Sequence, residues 1–240
     1  MDEVTQKLAD YRPSEQALQL IRDTKVVFLV GPAGAGKDTV KHHLLADSKY
    51  RDIVSHTTRA PRLNHGEIEV EGQHYHFVSR DEMSRMLDEH AFVEAKQVHG
   101  GNVYGTSVAE FQIAHDEHRI ALTDIEVQGV AEFKAIDPSV MAIFLLPPSF
   151  EIWQDRLQKR YGEMVEQEDY SKRMRTAIDE LQIFLESGYY VGIINDSLEA
   201  TVETIKRLAE GEQQSPSEAQ AAEQLAQSLL AATQDKLAHI

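Results

Sequence analysis

A parallel β-sheet covered by helices on both faces, an α/β fold, is what this 240-residue sequence predicts, from three observations. Short apolar runs recur at 26–30 (VVFLV), 120–122, 141–146 (MAIFLL) and 190–194. They are too short for helices and lack polar alternation, as expected of strands buried on both faces. Between them lie polar stretches of helical period at 39–46, 107–117, 149–160, 169–186 and 198–210. One region alone, 67–78, alternates residue by residue. Buried strands interleaved with helices make a parallel sheet, and the alternating region makes a small antiparallel insertion within it.

The elements follow in order. Val4, Leu8 and Tyr11 recur at i, i+4 and i+7, and Ala17, Leu18 and Ile21 follow Pro13, so 1–23 reads as a helical extension. The first strand, VVFLV, stops at Gly31. In EIEVEGQHYHFV, Ile68 and Val70 precede Gly72 while Tyr75 and Phe77 follow it, which predicts a hairpin inside an insertion at 55–106. Asp196, Ser197, Leu198 and Glu199 offer a capping-box-like start to the helix at 198–210. The tail, 211–240, is rich in Gln and Ala. Leu225, Leu229, Leu237 and Ile240 can form a weak stripe along it, so it reads either as a docked or self-associating helix or as a frayed end.

Composition narrows the partners. The chain is 42% hydrophobic and 27% charged, in the globular range, and its apolar runs are too short to span a bilayer. Forty acidic against 24 basic residues give a formal charge of −16, which argues against nucleic acid or an anionic membrane. A small anionic ligand needs only a local cluster of positive charge. The absence of cysteine removes disulfides, thiolate zinc sites and Cys nucleophiles, and fits a reducing, cytoplasmic location. Met1, Asp2 and Glu3 lack the basic, then apolar, opening of a secretory signal. Neither His74 with His76 nor His115 with His118 has a third ligand at a telling spacing, so no zinc site is expected. Trp153 reads as core.

The strongest local signal is GPAGAGKDT at 31–39. It matches the phosphate-binding pattern G-x-x-x-x-G-K through Gly31, Gly36 and Lys37, after a strand and before a helix, and makes the core a P-loop fold. Gly31, Pro32, Ala33, Gly34, Ala35 and Gly36 let the backbone wrap a pyrophosphate, while N–H groups at the helix start point at it. Lys37 brings a mobile charge to the β- and γ-phosphates. Asp38 stands where a metal-binding hydroxyl is expected, and Thr39, one residue on, offers its hydroxyl to a phosphate instead.

Downstream, SHTTRAPR sets Arg59 and Arg62 beside a proline-stiffened turn, and two guanidinium forks suit a phosphate monoester. The phosphate loop, SHTTRAPR, HYHFVS, FVEAKQVHGGNVYGTS, LTDIEVQG, LPPS, RLQKR and IIND occur in an order that resembles guanylate kinase over residues 24–210. That resemblance implies ATP-dependent phosphorylation of GMP to GDP, assisted by Mg²⁺. It implies that Arg59, Arg62, Tyr75 and Tyr104 hold the GMP phosphate, and that Ser55, Glu94, Thr106 and Glu126 read guanine. It assigns Arg156, Arg160 and Arg173 to a lid at 156–173 that closes over ATP, with Lys37, Arg160 and Arg173 neutralising the moving phosphoryl group. Asp124 falls where a carboxylate orients Mg²⁺ through water, and Asn195 falls near adenine.

The chemistry of guanine reading is plain: guanine offers N1–H and N2–H₂ donors side by side to a carboxylate, and adenine has no donor at N1. Some positions depart from the family pattern. His56, Thr106 and Ala33 replace usual serines, the stretch between Arg62 and Tyr75 is long, and the lid lacks the customary Arg-Gly-Thr. Two rival readings are a catalytically silent interaction module of this family and a same-fold kinase acting on another phosphorylated acceptor. The intact loop argues against the first, and Glu94, Tyr75 and Tyr104 argue against the second.

Overall fold

The structure, a computed structural model, describes residues 3–64, 67–98, 101–125, 127–161 and 167–239. The chain begins with α1 (Glu3–Asp10), α2 (Glu15–Asp23), β1 (Val26–Val30), α3 (Lys37–Leu45) and β2 (Tyr50–Asp52). Then come β3 (His56–Thr57), β4 (Leu63–Asn64), β5 (Glu67–Ile68), β6 (His76–Phe77), α4 (Arg80–Asp88), β7 (Phe92–Gln97) and β8 (Val103–Ser107). Next are α5 (Val108–Asp116), β9 (Ile120–Asp124), α6 (Val127–Ile136), β10 (Met141–Leu146) and α7 (Phe150–Tyr161). It ends with α8 (Gln167–Ser187), β11 (Val191–Ile194), α9 (Leu198–Ala209) and α10 (Pro216–Ala238). Helices α4 and α6 arise where the sequence pattern predicts none.

The described residues divide into two compact units: one drawn from 27–47, 124–131 and 139–240, the other from 1–26, 48–123 and 132–138. In the first, β10 runs parallel to β1 on one side and to β11 on the other. Every residue of β1 is buried, which is why its sequence is continuously apolar. Helix α3 packs on α9, and α10 packs on α8 and β11.

The tail is thus a docked helix. Ser215 and Glu218 form a reciprocal capping box with Pro216 in the first turn, which stabilises the start. Its buried residues are Ala222, Ala226, Leu229 and Thr233, so only Leu229 of the expected stripe is fully inside. Leu225 and Leu237 are half-buried, and Ile240 lies outside the described residues. Close approach decides this face. A Cβ on Gly192 of β11 would come within 2.8 Å of the Ala222 Cβ, so only small residues fit the contact.

In the second unit β2 and β9 pair in parallel, and a separate four-stranded sheet has the order β6-β3-β8-β7. The hairpin expected over 67–78 does not form. Strand β5 pairs antiparallel with β4, and β6 joins β3 in parallel, so the sheet of the insertion is mixed rather than antiparallel. Side chains take the donors that a hairpin ladder would need: the Phe77 N–H donates to Glu71 Oε2 at 2.7 Å and the Val70 N–H to His74 Nδ1 at 3.0 Å. Val4, Met83, Leu87, Phe92 and Val103 form a core under this sheet, with Leu8 and Tyr11 packed against it. No helix among the described residues is long and apolar enough to cross a membrane.

Candidate active site

The phosphate loop is shaped by three glycines at positive φ. Gly31 (φ 129°) lies so close to β10 that a Cβ would sit 2.4 Å from the Leu145 carbonyl oxygen. Gly36 (φ 99°) is the N-cap of α3 and offers no side-chain cap, so the first N–H groups of that helix are left for a ligand. Lys37 folds back over the loop, its ammonium donating to the carbonyls of Gly31 and Pro32.

Two residues from outside the motif brace the loop. Trp153 is fully buried, and its indole N–H donates to the Ala33 carbonyl at 2.7 Å. Asn195 donates its amide to the Ala35 carbonyl at 2.8 Å and accepts from the Thr201 hydroxyl at 3.2 Å. Both ends of the Asn195 side chain are therefore committed to the fold. Arg156 Nη2 donates to the Asn195 carbonyl at 3.0 Å, while its Nη1 is buried with no hydrogen-bond partner among the described residues.

Asp38, exposed on the first turn of α3, pairs with Arg160 at 3.1 Å, which puts a cation beside the carboxylate that replaces the expected hydroxyl. Thr39 is exposed next to it. Asp124 pairs with Lys41 at 3.0 Å. Burial opposes its ionisation, yet the charge and hydrogen bond of Lys41, with Lys37 behind them, outweigh that and hold the carboxyl below its usual range. An ionised carboxylate and a hydroxyl beside a phosphate loop are oxygen donors that suit Mg²⁺, which keeps several waters and takes its remaining ligands from phosphate. Arg173 is half-buried in the early turns of α8, and 162–166, between it and α7, lies outside the described residues.

The acceptor-side residues gather on the four-stranded sheet. Glu94 on β7 faces Thr106 on β8, whose hydroxyl donates to Glu94 Oε1 at 2.9 Å; the Ser55 hydroxyl is 3.4 Å from the Thr106 hydroxyl. Glu126 lies outside the described residues. Arg59 is buried. Its Nε donates to the Tyr104 hydroxyl oxygen at 2.9 Å, Nη1 to the Ala60 carbonyl at 2.8 Å, and Nη1 and Nη2 to Glu69 at 2.7 and 3.0 Å. Four of its five N–H groups are thus engaged within the protein. Because Nε can only donate, Tyr104 accepts there and keeps its own proton to give to an oxyanion. Tyr75 lies edge-on to Tyr104 with ring centroids 5.6 Å apart, and the Arg59 guanidinium carbon is 5.3 Å from the Tyr75 ring centroid. Arg62 has an exposed side chain, and its backbone N–H donates to Glu69 Oε2 at 2.8 Å.

Glu69 is the residue the sequence pattern missed. Its side chain is 8% exposed and that of Arg59 is 9% exposed, so the pair is a buried, bidentate one. Burial opposes the charge on both, but their mutual bonds prevail, holding Glu69 below and Arg59 above their ordinary values. Only its spacing after the two arginines could have drawn attention to it.

A family model described as guanylate kinase matches residues 23–212. The chain belongs to the guanylate kinase family. It is 41% identical over 187 residues to "Guanylate kinase 1" of Oryza sativa subsp. japonica, a match covering 77% of this chain and 47% of that protein. It thus spans about half the length of that plant relative. Against the guanylate kinase of Sus scrofa it is 37% identical, covering 75% of this chain and 89% of the relative. A solved guanylate kinase from Anaplasma phagocytophilum superposes with a TM-score of 0.57 at 27% identity, covering 81% of this chain and 88% of that one. Of the guanylate kinase positions assigned from sequence, Ser55, Arg59, Tyr75, Glu94, Tyr104 and Thr106 lie on or beside the sheet order β6-β3-β8-β7. Lys37, Asp38, Arg156, Arg160 and Asn195 gather around the phosphate loop in the other unit.

Proposed function

We propose that this chain transfers the γ-phosphoryl group of ATP to GMP, giving ADP and GDP. The observation that carries the reading is Glu94, paired across the β7–β8 ladder with Thr106, whose hydroxyl is 3.4 Å from that of Ser55. A carboxylate held in that way takes the N1–H and N2–H₂ edge of guanine, with Glu126 as a further acceptor, and meets no N1 donor on adenine. Sites that pair with a substrate donor reject the analogue lacking it by roughly 10⁴-fold.

The GMP phosphate meets the exposed Arg62 fork, the Tyr104 and Tyr75 hydroxyls and the remaining N–H of Arg59. The loop from Gly31 to Thr39 takes the ATP phosphates through backbone N–H groups and the α3 N-terminus. Lys37 swings from its carbonyl contacts onto the β- and γ-phosphates. Arg156, through its buried Nη1, and Arg160 and Arg173 add positive charge. Asn195 and Trp153 contribute by holding the loop in shape. Thr39 and Asp124 would hold Mg²⁺, which would neutralise phosphate charge. Phosphoryl transfer asks little covalent chemistry of a protein, so positioning and charge neutralisation carry the rate. A reducing cytoplasmic location suits a chain without cysteine.

Release of ADP with GMP as acceptor, compared with AMP, CMP and UMP, tests the activity and separates it from a silent module. Glu94→Gln is expected to raise KM for GMP by roughly 10- to 100-fold with KM for ATP unchanged. Equal use of AMP by the unaltered protein would refute the guanine assignment.

A further inference from the structure

The N-terminal helix α1 lies outside the stretch matched by the family model, which begins at residue 23, so the family match gives it no role. Its position is nevertheless specific. Strand β7 is at the edge of its sheet, where outward backbone N–H and C=O groups have no neighbouring strand. At Phe92, the first residue of β7, both groups are taken by one side chain. The Tyr11 hydroxyl donates to the Phe92 carbonyl at 2.5 Å and accepts from the Phe92 N–H at 2.9 Å.

The place matters because the β7–β8 register slips just there. Phe92 pairs with Ser107 and Glu94 with Thr106, leaving Val93 as the extra residue of a bulge. A bulge re-aims the side chains that follow it, and the next ladder residue is Glu94. Tyr11 also packs edge-on against Phe92, with ring centroids 6.4 Å apart. Helix α1, which ends one residue before Tyr11, is itself tied to α4 by Lys7, which reaches Asp88 at 2.6 Å and Ser84 at 2.7 Å. Without the hydroxyl, a donor and an acceptor at the bulge lose their partner together, and the cheapest relief is to slide or flatten the bulge. Either movement turns the Glu94 carboxylate away from Thr106.

We infer that Tyr11 is a positioning residue for the acceptor base: its hydroxyl locks the bulge at 92–94 and thereby aims Glu94. The inference rests on the reading that Glu94 takes guanine. It makes the N-terminal helix a working part of the acceptor site.

Calorimetry of GMP binding to the full chain tests it, with ATP binding and thermal unfolding measured alongside. Tyr11→Phe keeps the ring and removes only the hydroxyl. It is expected to weaken GMP binding by roughly 5- to 20-fold, leave ATP binding unchanged, and add little further loss on a Glu94→Gln background. A purely structural role would lower the melting temperature and leave GMP affinity where it was; that result overturns the inference, as does full additivity with Glu94→Gln. Should Tyr11→Phe not fold, Lys7→Ala decides, because it loosens α1 from α4 at the surface: weaker GMP binding supports the inference and unchanged GMP affinity with a lowered melting temperature overturns it. No GMP binding by the unaltered chain would overturn the guanine reading itself, a result distinct from a Tyr11 variant that binds GMP normally.

Discussion

The phosphate loop and the acceptor sheet are each proposed to hold a phosphate, and they are built from different materials. The loop is main chain. Its shape comes from glycines at positive φ and from carbonyls held by Trp153, Asn195 and Lys37, and the groups it offers are backbone N–H donors at the start of α3. The acceptor sheet is a side-chain network in which Glu69, Arg59 and Tyr104 hold one another and Thr106 holds Glu94. A main-chain cradle is stable without its charged residue, whereas a buried ionic network loses stability with any member. Removing a charge should therefore cost the loop activity alone, and the acceptor sheet activity and stability together.

The largest effect expected is on the loop side. Lys37→Ala should lower kcat by about 10³-fold, since it removes charge stabilisation in the transition state. Its melting temperature should stay within a few degrees of that of the unaltered protein, because the Trp153 and Asn195 bonds still hold the loop. Steady-state ADP release and a thermal melt check the two halves; a large loss of stability would break the contrast.

Glu69→Gln comes next and should show the opposite pattern. Losing one partner of a buried bidentate pair costs about 3 kcal/mol, visible in urea unfolding. As Arg59 and Tyr104 lose their anchor, KM for GMP should rise by roughly tenfold while KM for ATP is unchanged. A variant as stable as the parent would show that Arg59 does not depend on Glu69.

The smallest effect is a pH dependence contributed by the acceptor sheet. His56 stands 4.6 Å, ring to ring, from His76. Burial, and then the charge of His76, depress its pKa from 6.5 to about 4. Between those values the unfolded chain binds a proton that the folded one does not, so stability rises with pH across this window and falls on acidification from 6.5 towards 4. His56→Ser should flatten the upper part of that slope, before the carboxylates of Glu69 and Glu71 begin to titrate. An unchanged slope in a series of melts from pH 7 to 4.5 would remove His56 as the cause.

The same contrast explains what could be read from sequence. The loop was legible because its parts are contiguous: strand, glycines, lysine and helix start fall within 26–45, and each residue type has a local reason to be there. The acceptor residues were legible only as a family pattern, because Ser55, Glu94 and Thr106 stand 12 to 51 residues apart and meet through strand pairing. The partners of Glu69 and Tyr11 were not legible, since a lone Glu in a polar stretch carries no periodic signal and Tyr11 showed only as part of the apolar stripe of the extension. The hairpin over 67–78 was misread for the same reason. Alternation records which faces are apolar, but Glu71 and His74 took the backbone donors that would have made it a ladder.

By itself, then, the sequence determined the apolar strands β1, β9, β10 and β11, the phosphate loop and the net acidity, because local sterics, periodicity and charge are written residue by residue. Tertiary structure decided which face of α10 is buried, the mixed sheet of the insertion, the Glu69–Arg59 pair and the Tyr11 bond to Phe92. Those depend on close approach and hydrogen-bond satisfaction between segments far apart in the chain, and only folding brings such partners within bonding distance.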